Sequence, residues 1–172
     1  MTTQVSSLLI IGGYLMTVID VDLTKEVNPN FYCLWQTRKP YRVFKGGRSS
    51  FKSSAISLNI IDDLIMNYIV HKKKANVVVI RKVANTLRDS VYLKMQWAIS
   101  KYGLLQQFQM NVSPLRITHR TTGSTIYFYG QDDFSKLKSN DIGNLTAVWY
   151  EEAAEFNDYE GFVEKFKRKK TT

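Results

Sequence analysis

The segment Gly46-Gly47-Arg48-Ser49-Ser50-Phe51-Lys52-Ser53 gathers residue types that can hold a phosphate group. A phosphate-binding loop needs consecutive backbone N–H groups aimed inward and a helix N-terminus behind them. It also needs a lysine for the terminal phosphates and a hydroxyl for a magnesium ion. The segment fits the pattern G-x-x-x-x-G-K-[ST] with one departure, since Phe51 stands where the second glycine is expected. A serine-rich helix cap that happens to be followed by a lysine fits the same residues. Roughly a hundred positions downstream, the apolar run Leu145-Thr146-Ala147-Val148-Trp149-Tyr150 ends abruptly in Glu151 and Glu152. A phosphate-bound magnesium ion needs an acidic partner at the end of a neighbouring strand, and hydrolysis needs a second carboxylate to orient and activate water. The pair equally suits the first turn of a helix running on through Glu155, where the helix dipole favours acids. Both motifs in this order within one chain favour the nucleotide reading over either alternative.

Those residues work only if secondary structure delivers them to one place. Tyr41-Arg42-Val43-Phe44-Lys45 reads as a short strand feeding the glycine and serine turn. From Lys52, the apolar residues Ile56, Ile60, Ile61, Leu64, Ile65, Tyr68 and Ile69 recur at three- and four-residue spacing, with Asn59, Asp62, Asp63 and Asn67 opposite, which predicts an amphipathic helix. His71-Lys72-Lys73-Lys74 suits its negative end. Val77-Val78-Val79-Ile80 is an unbroken β-branched run of the kind buried on both faces of a sheet. Leu87, Val91, Met95, Ala98 and Tyr102 mark a second helix that starts near Asn85 or Thr86 and stops at Gly103. A hairpin is expected where Leu115-Arg116-Ile117-Thr118 and Thr125-Ile126-Tyr127-Phe128-Tyr129 flank Thr121-Thr122-Gly123-Ser124. Strands alternating with helices imply an α/β fold, a mostly parallel sheet flanked by helices with the hairpin as an antiparallel addition. Ligands bind such sheets at the carboxyl ends of the strands, where both motifs fall.

Lys45-Gly46-Gly47-Arg48-Ser49-Ser50-Phe51-Lys52-Ser53-Ser54 resembles the Walker A segment of phage terminase large subunits, and Val148-Trp149-Tyr150-Glu151-Glu152-Ala153-Ala154-Glu155-Phe156 resembles their Walker B segment. The stretches 28–35, 81–91 and 123–139 are similar too and occur in the family's order, so the resemblance runs from about residue 28 to 156. It implies a P-loop NTPase fold and an ATP-hydrolysing motor that drives double-stranded DNA into a capsid. By this resemblance Gly46, Gly47, Arg48, Ser49, Ser50, Phe51, Lys52, Ser53 and Ser54 cradle ATP, with Lys52 on the phosphates and Arg48 sensing the γ-phosphate. Ser53 and Glu151 share Mg2+, and Glu152 is the catalytic carboxylate. Phe51 puts nucleotide affinity in doubt, while Glu151 in place of the commoner aspartate keeps the charge on a longer arm. The implied partners are double-stranded DNA, a small terminase subunit and a portal protein, in a ring of identical motors in the cytoplasm of the infected bacterial host. The family's coupling motif, the rest of its motor domain and its acidic nuclease domain are expected to follow beyond Thr172, so the chain reads as an excised piece or the product of a truncated or split gene. A helicase or recombination ATPase, or an inactive nucleotide-binding fragment that assembles with another polypeptide, is the rival reading.

Bulk properties agree with a folded chain: 172 residues, 44% hydrophobic and 23% charged, with room for one domain that buries a core. The expected division is an extension over 1–27, the ATPase domain over 28–164 and a basic tail over 165–172. The net charge is +9, and without Lys165, Lys167, Arg168, Lys169 and Lys170 it falls to +4, so basicity alone allows a polyanionic partner without requiring one. One cysteine, Cys33, excludes an internal disulfide and any cysteine-cluster zinc site, and reads as a small core residue. The apolar stretch from Leu8 to Met16 is interrupted by Gly12 and Gly13 and too short to span a bilayer. Residues 1–15 read either as an extension ahead of a start at Met16 or as a genuine first strand or helix. His71 and His119 lack partners at metal-ligand spacing and read as surface or hairpin residues. Asp132 and Asp133 read as residues of a turn or a DNA-facing loop.

Overall fold

A computed structural model describes residues 4–10, 16–37, 39–47, 49–131 and 142–156. Strands β1 (Gln4–Ile10) and β2 (Met16–Asp22) pair antiparallel, and β2 leads into a single-turn helix, α1 (Leu23–Glu26), capped by the Asp22 carboxylate. After a short turn at Pro29–Phe31 comes α2 (Cys33–Gln36), then the long helix α3 (Lys52–Leu64), which continues as a wider turn over Ile65–Ile69. The remaining elements are β3 (Asn76–Arg81), α4 (Leu93–Lys101), β4 (Phe108–Val112), β5 (Leu115–His119), β6 (Thr125–Gly130) and β7 (Leu145–Tyr150).

Five of the strands form one sheet in the order β4-β5-β6-β3-β7. Its centre is parallel, since β3 pairs in parallel with both β6 and β7, and β5 joins β6 antiparallel as the expected hairpin. This is the α/β architecture of a P-loop NTPase, a mostly parallel sheet flanked by helices. Val77, Val78, Val79 and Ile80 are each at most 1% exposed, because a central strand covered on both faces has no solvent side to offer. On one face α3 and the helix ending in α4 pack Leu58, Ile61, Ile65, Met95 and Ile99 against Val77, Val79 and Ile126. Burial of such side chains is worth about 1.5–3 kcal/mol each. On the other face, Val78 and Ile80 meet Ile142 and Phe156.

The second helix buries the face predicted for it and gives way at Gly103, whose φ of +67° is the left-handed conformation that glycine adopts without a steric penalty. Three expectations need correction. Residues 41–45 pair with no strand among the described residues, and Tyr41 and Val43 are well exposed. Phe44 alone packs inward, edge-on against Phe31. Cys33 is exposed rather than in the core, because α2 turns Leu34 inward instead. Asp62 sits on the predicted polar face of α3 yet is buried, accepting a hydrogen bond from Trp35 Nε1 at 3.1 Å. His119 is a hairpin residue and also a buried one, held by Thr122 and Gln107, and burial lowers its pKa. No described helix is long and apolar enough to cross a membrane.

Candidate functional site

The carboxyl ends of the parallel strands form one rim of the sheet, and α3 begins at that rim. Its first residue is Lys52, preceded by Phe51 with φ 62° and ψ 18°, a left-handed backbone. A chain entering a helix through this conformation turns sharply, which is the work a glycine does at this position of a phosphate loop. A phenylalanine thus holds here the left-handed backbone that glycine adopts without penalty. Phenylalanine bears a strain of about 1–2 kcal/mol for it. Its ring is 62% exposed, so little packing offsets that cost. Ser49 is also left-handed, with φ 62°. No side chain caps α3, so the N–H groups of its first turn, which have no acceptor within the helix, point toward the loop.

Inside the loop, Lys52 Nζ donates to Gly46 O at 2.7 Å, Gly47 O at 3.2 Å and Ser50 Oγ at 3.3 Å. The ammonium has three protons, and the loop's own oxygens accept them all. Gly46 is needed for closeness: a Cβ there would lie 3.0 Å from Ser50 Oγ and 3.4 Å from Lys52 Cδ. Ser53 Oγ donates to Glu151 Oε1 at 2.6 Å, joining residues 98 positions apart. Glu151 itself extends the β3–β7 pairing by one step, its N–H donating to Ile80 O at 2.9 Å. Directly after it Glu152 turns left-handed at φ 53° and is exposed, and only a short turn, Ala153–Glu155, follows. No α-helix therefore starts at the two glutamates among the described residues.

Burial raises the Glu151 carboxyl above its ordinary range, the Ser53 hydrogen bond opposes this, the Glu152 charge adds to it, and Arg81 and Lys52 pull it back. Lys52 and Ser53 are the first two residues of α3, so the Ser53–Glu151 contact brings the carboxylate to the helix end that also carries Lys52. Arg81, at the end of β3, belongs to the same rim and was given no role from the sequence. A cation closing the most buried strand of a parallel sheet was the signal that pointed to it. Ser54 lies at the loop's end and is buried. Arg48, Asp132 and Asp133 lie outside the described residues. A lysine, a hydroxyl and two carboxylates around an uncapped helix N-terminus can hold a phosphorylated ligand together with a divalent cation, and can activate a water beside them.

The sequence profile of the family described as "Phage terminase large subunit" matches residues 38–172 and so takes in both motifs. The chain belongs to the phage terminase large subunit family. The terminase large subunit of Bacillus phage SPP1 is 35% identical to it over 146 residues, which is 81% of this chain and 33% of that protein. The PBSX phage terminase large subunit of Bacillus subtilis (strain 168) is 36% identical over 143 residues, 83% of this chain and 31% of that protein. This terminase chain thus spans about a third of the length of these relatives.

Proposed function

We propose that this chain is the ATP-binding and ATP-hydrolysing portion of a terminase large subunit, and that its turnover drives double-stranded DNA into a viral capsid. The contact that carries the reading is Ser53 Oγ to Glu151 Oε1 at 2.6 Å, because it unites the hydroxyl and carboxylate that a phosphate-bound magnesium ion requires. The residues fit that ligand: the ammonium of Lys52 already lies among oxygens that a phosphate would replace. Ser53 and Glu151 would hold Mg2+ there, and the ion would supply neutralisation of charge on a transferred phosphoryl group. Lys52 binds the phosphates, Ser53 and Glu151 hold the ion, and Glu152, exposed at the rim, orients the attacking water and takes its proton. Arg48 is the residue proposed to sense the γ-phosphate. A small terminase subunit, a portal protein and further copies of the motor in the cytoplasm of the infected host complete this reading.

Two substitutions separate binding from chemistry. Lys52→Ala removes a charge used in both ground and transition states, so ATP affinity and turnover fall together. Glu152→Gln keeps the shape and removes the base, so ATP binding persists while hydrolysis drops by roughly 10²- to 10⁴-fold. Titration of a fluorescent ATP analogue and a phosphate-release assay give the two readouts. Equal ATP binding by the unmutated chain and Lys52→Ala would show that residues 46–53 are a helix cap and not a phosphate loop.

A further inference from the structure

The rim opposite the nucleotide site carries a second concentration of charge. Here His71, Lys72, Lys73 and Lys74 leave the end of α3 and enter β3, and the tight turn between β5 and β6 lies beside them. Ser124 ties the two segments together: its Oγ accepts from Ala75 N at 3.0 Å and donates to Lys73 O at 3.5 Å. Asn76 adds a second tie, its side-chain oxygen accepting from Thr125 N at 3.0 Å. Lys74 Cε lies 4.0 Å from where a Cβ on Gly123 would stand, so the lysine stem rests on the turn that carries Arg120. Lys72, Lys73, Lys74 and Arg120 are all exposed. Among the described residues none of the four is in an ion pair, and neither segment carries an acid. His119, in the same turn, is buried with a lowered pKa and adds no charge at neutral pH. The 18 residues from Lys52 to Ile69 put this rim roughly 25 Å from the phosphate loop.

Four cations held on two mutually anchored segments, with no ion pair among the described residues, form a surface that gains free energy by displacing the counter-ions of a polyanion. We propose that this rim is a contact surface for the sugar–phosphate backbone of double-stranded DNA, sequence-independent and separate from the nucleotide site. The choice of DNA over an acidic protein rests on the proposed packaging role, whereas the existence of an anion-binding rim does not. Lysines and an arginine at this rim position a duplex without reading its bases.

The test is duplex binding by the 172-residue chain without nucleotide, measured by fluorescence anisotropy of a labelled 30-base-pair DNA across a salt series. Changing Lys72, Lys73, Lys74 and Arg120 together to Gln should lower affinity more than about tenfold. It should also flatten the dependence of log K on log salt by about three to four, near one for each phosphate that is no longer neutralised. The pairs Lys72→Gln with Lys74→Gln, and Lys73→Gln with Arg120→Gln, should each give about half that change, which guards against a quadruple variant that folds poorly. A variant with Lys167, Arg168, Lys169 and Lys170 changed to Gln removes as many charges from the C-terminal run, and should lose clearly less. Unchanged affinity in the rim variants, or an equal loss in the tail variant, overturns the proposal. Equal binding of polyglutamate, lost in the same variants, overturns the assignment to DNA. ATP binding by the rim variants should match the unmutated chain, so a failure of the nucleotide reading and a failure of this one are seen separately.

Discussion

Two residues of the site each carry a cost to the fold that stability measurements can read. Phe51 holds a left-handed backbone with an exposed ring, so its cost sits in the main chain. Phe51→Gly should therefore be more stable than Phe51→Ala by about 1 kcal/mol, because both lose the ring and only glycine relieves the backbone. Thermal melting of the two variants side by side decides it; equal midpoints would remove the strain from the account. Glu151 is the other. Its folded pKa is raised, chiefly by burial, so the folded state holds its proton more tightly than the unfolded state does. Stability linked to this group is present in acid and is lost as pH rises through the folded pKa. Glu151→Gln keeps an oxygen for Ser53 and no longer ionises, so at neutral pH and without Mg2+ it should be more stable than the unmutated chain. The gap should close on acidification, and melts across a pH series check both halves. The motif was legible at residue scale through types and spacing. What Phe51 does was not, since a residue name carries no φ, and only the backbone shows that it is left-handed.

Among the elements, periodicity served the helices and failed where pairing decides. The apolar spacing from Ile56 to Ile69 and from Leu87 to Tyr102 marks buried faces because a helix face is set by local geometry. Asp62 looks like a solvent residue by the same rule, but Trp35, 27 positions away, covers it. Residues 41–45 have a strand-like composition with no described strand beside them, and a strand exists only when another pairs with it. They are held instead by side chains: Arg42 Nη1 donates to Leu34 O at 3.1 Å and to Asn59 Oδ1 at 3.2 Å, and Phe44 packs on Phe31. β4 was not legible because its alternation of apolar and polar residues is weak and its burial irregular. One contact between elements gives a direct test. A Cβ added at Gly130, the last residue of β6, would lie 2.6 Å from Ala84 Cβ and 2.9 Å from Ala84 backbone atoms. Gly130→Ala must push the turn after β3 away from the sheet, which should cost about 1–3 kcal/mol. Chemical denaturation should show a lower midpoint at unchanged slope, and an unshifted midpoint would mean that the turn yields freely.

At the scale of the whole molecule the sheet has two poles with different chemistry. The carboxyl-end rim gathers Lys52, Ser53, Glu151, Glu152 and Arg81, and the amino-end rim gathers Lys72, Lys73, Lys74 and Arg120. The first was legible in part, because its two motifs occur in the expected order, but only Glu151 follows a strand and Arg81 belongs to neither motif. The second was not, since Arg120 meets the lysines only through the parallel pairing of β3 with β6. Both flanks of the sheet, β4 and β7, are edges among the described residues. β7 hydrogen-bonds β3 on one side, and no described strand lies on its other side. Its main-chain donors and acceptors there are a template for any extended segment that reaches them. Among the described residues, the strand that delivers Glu151 is thus one of the two sheet edges, with β4, at which an extended segment of another chain can add by main-chain hydrogen bonds.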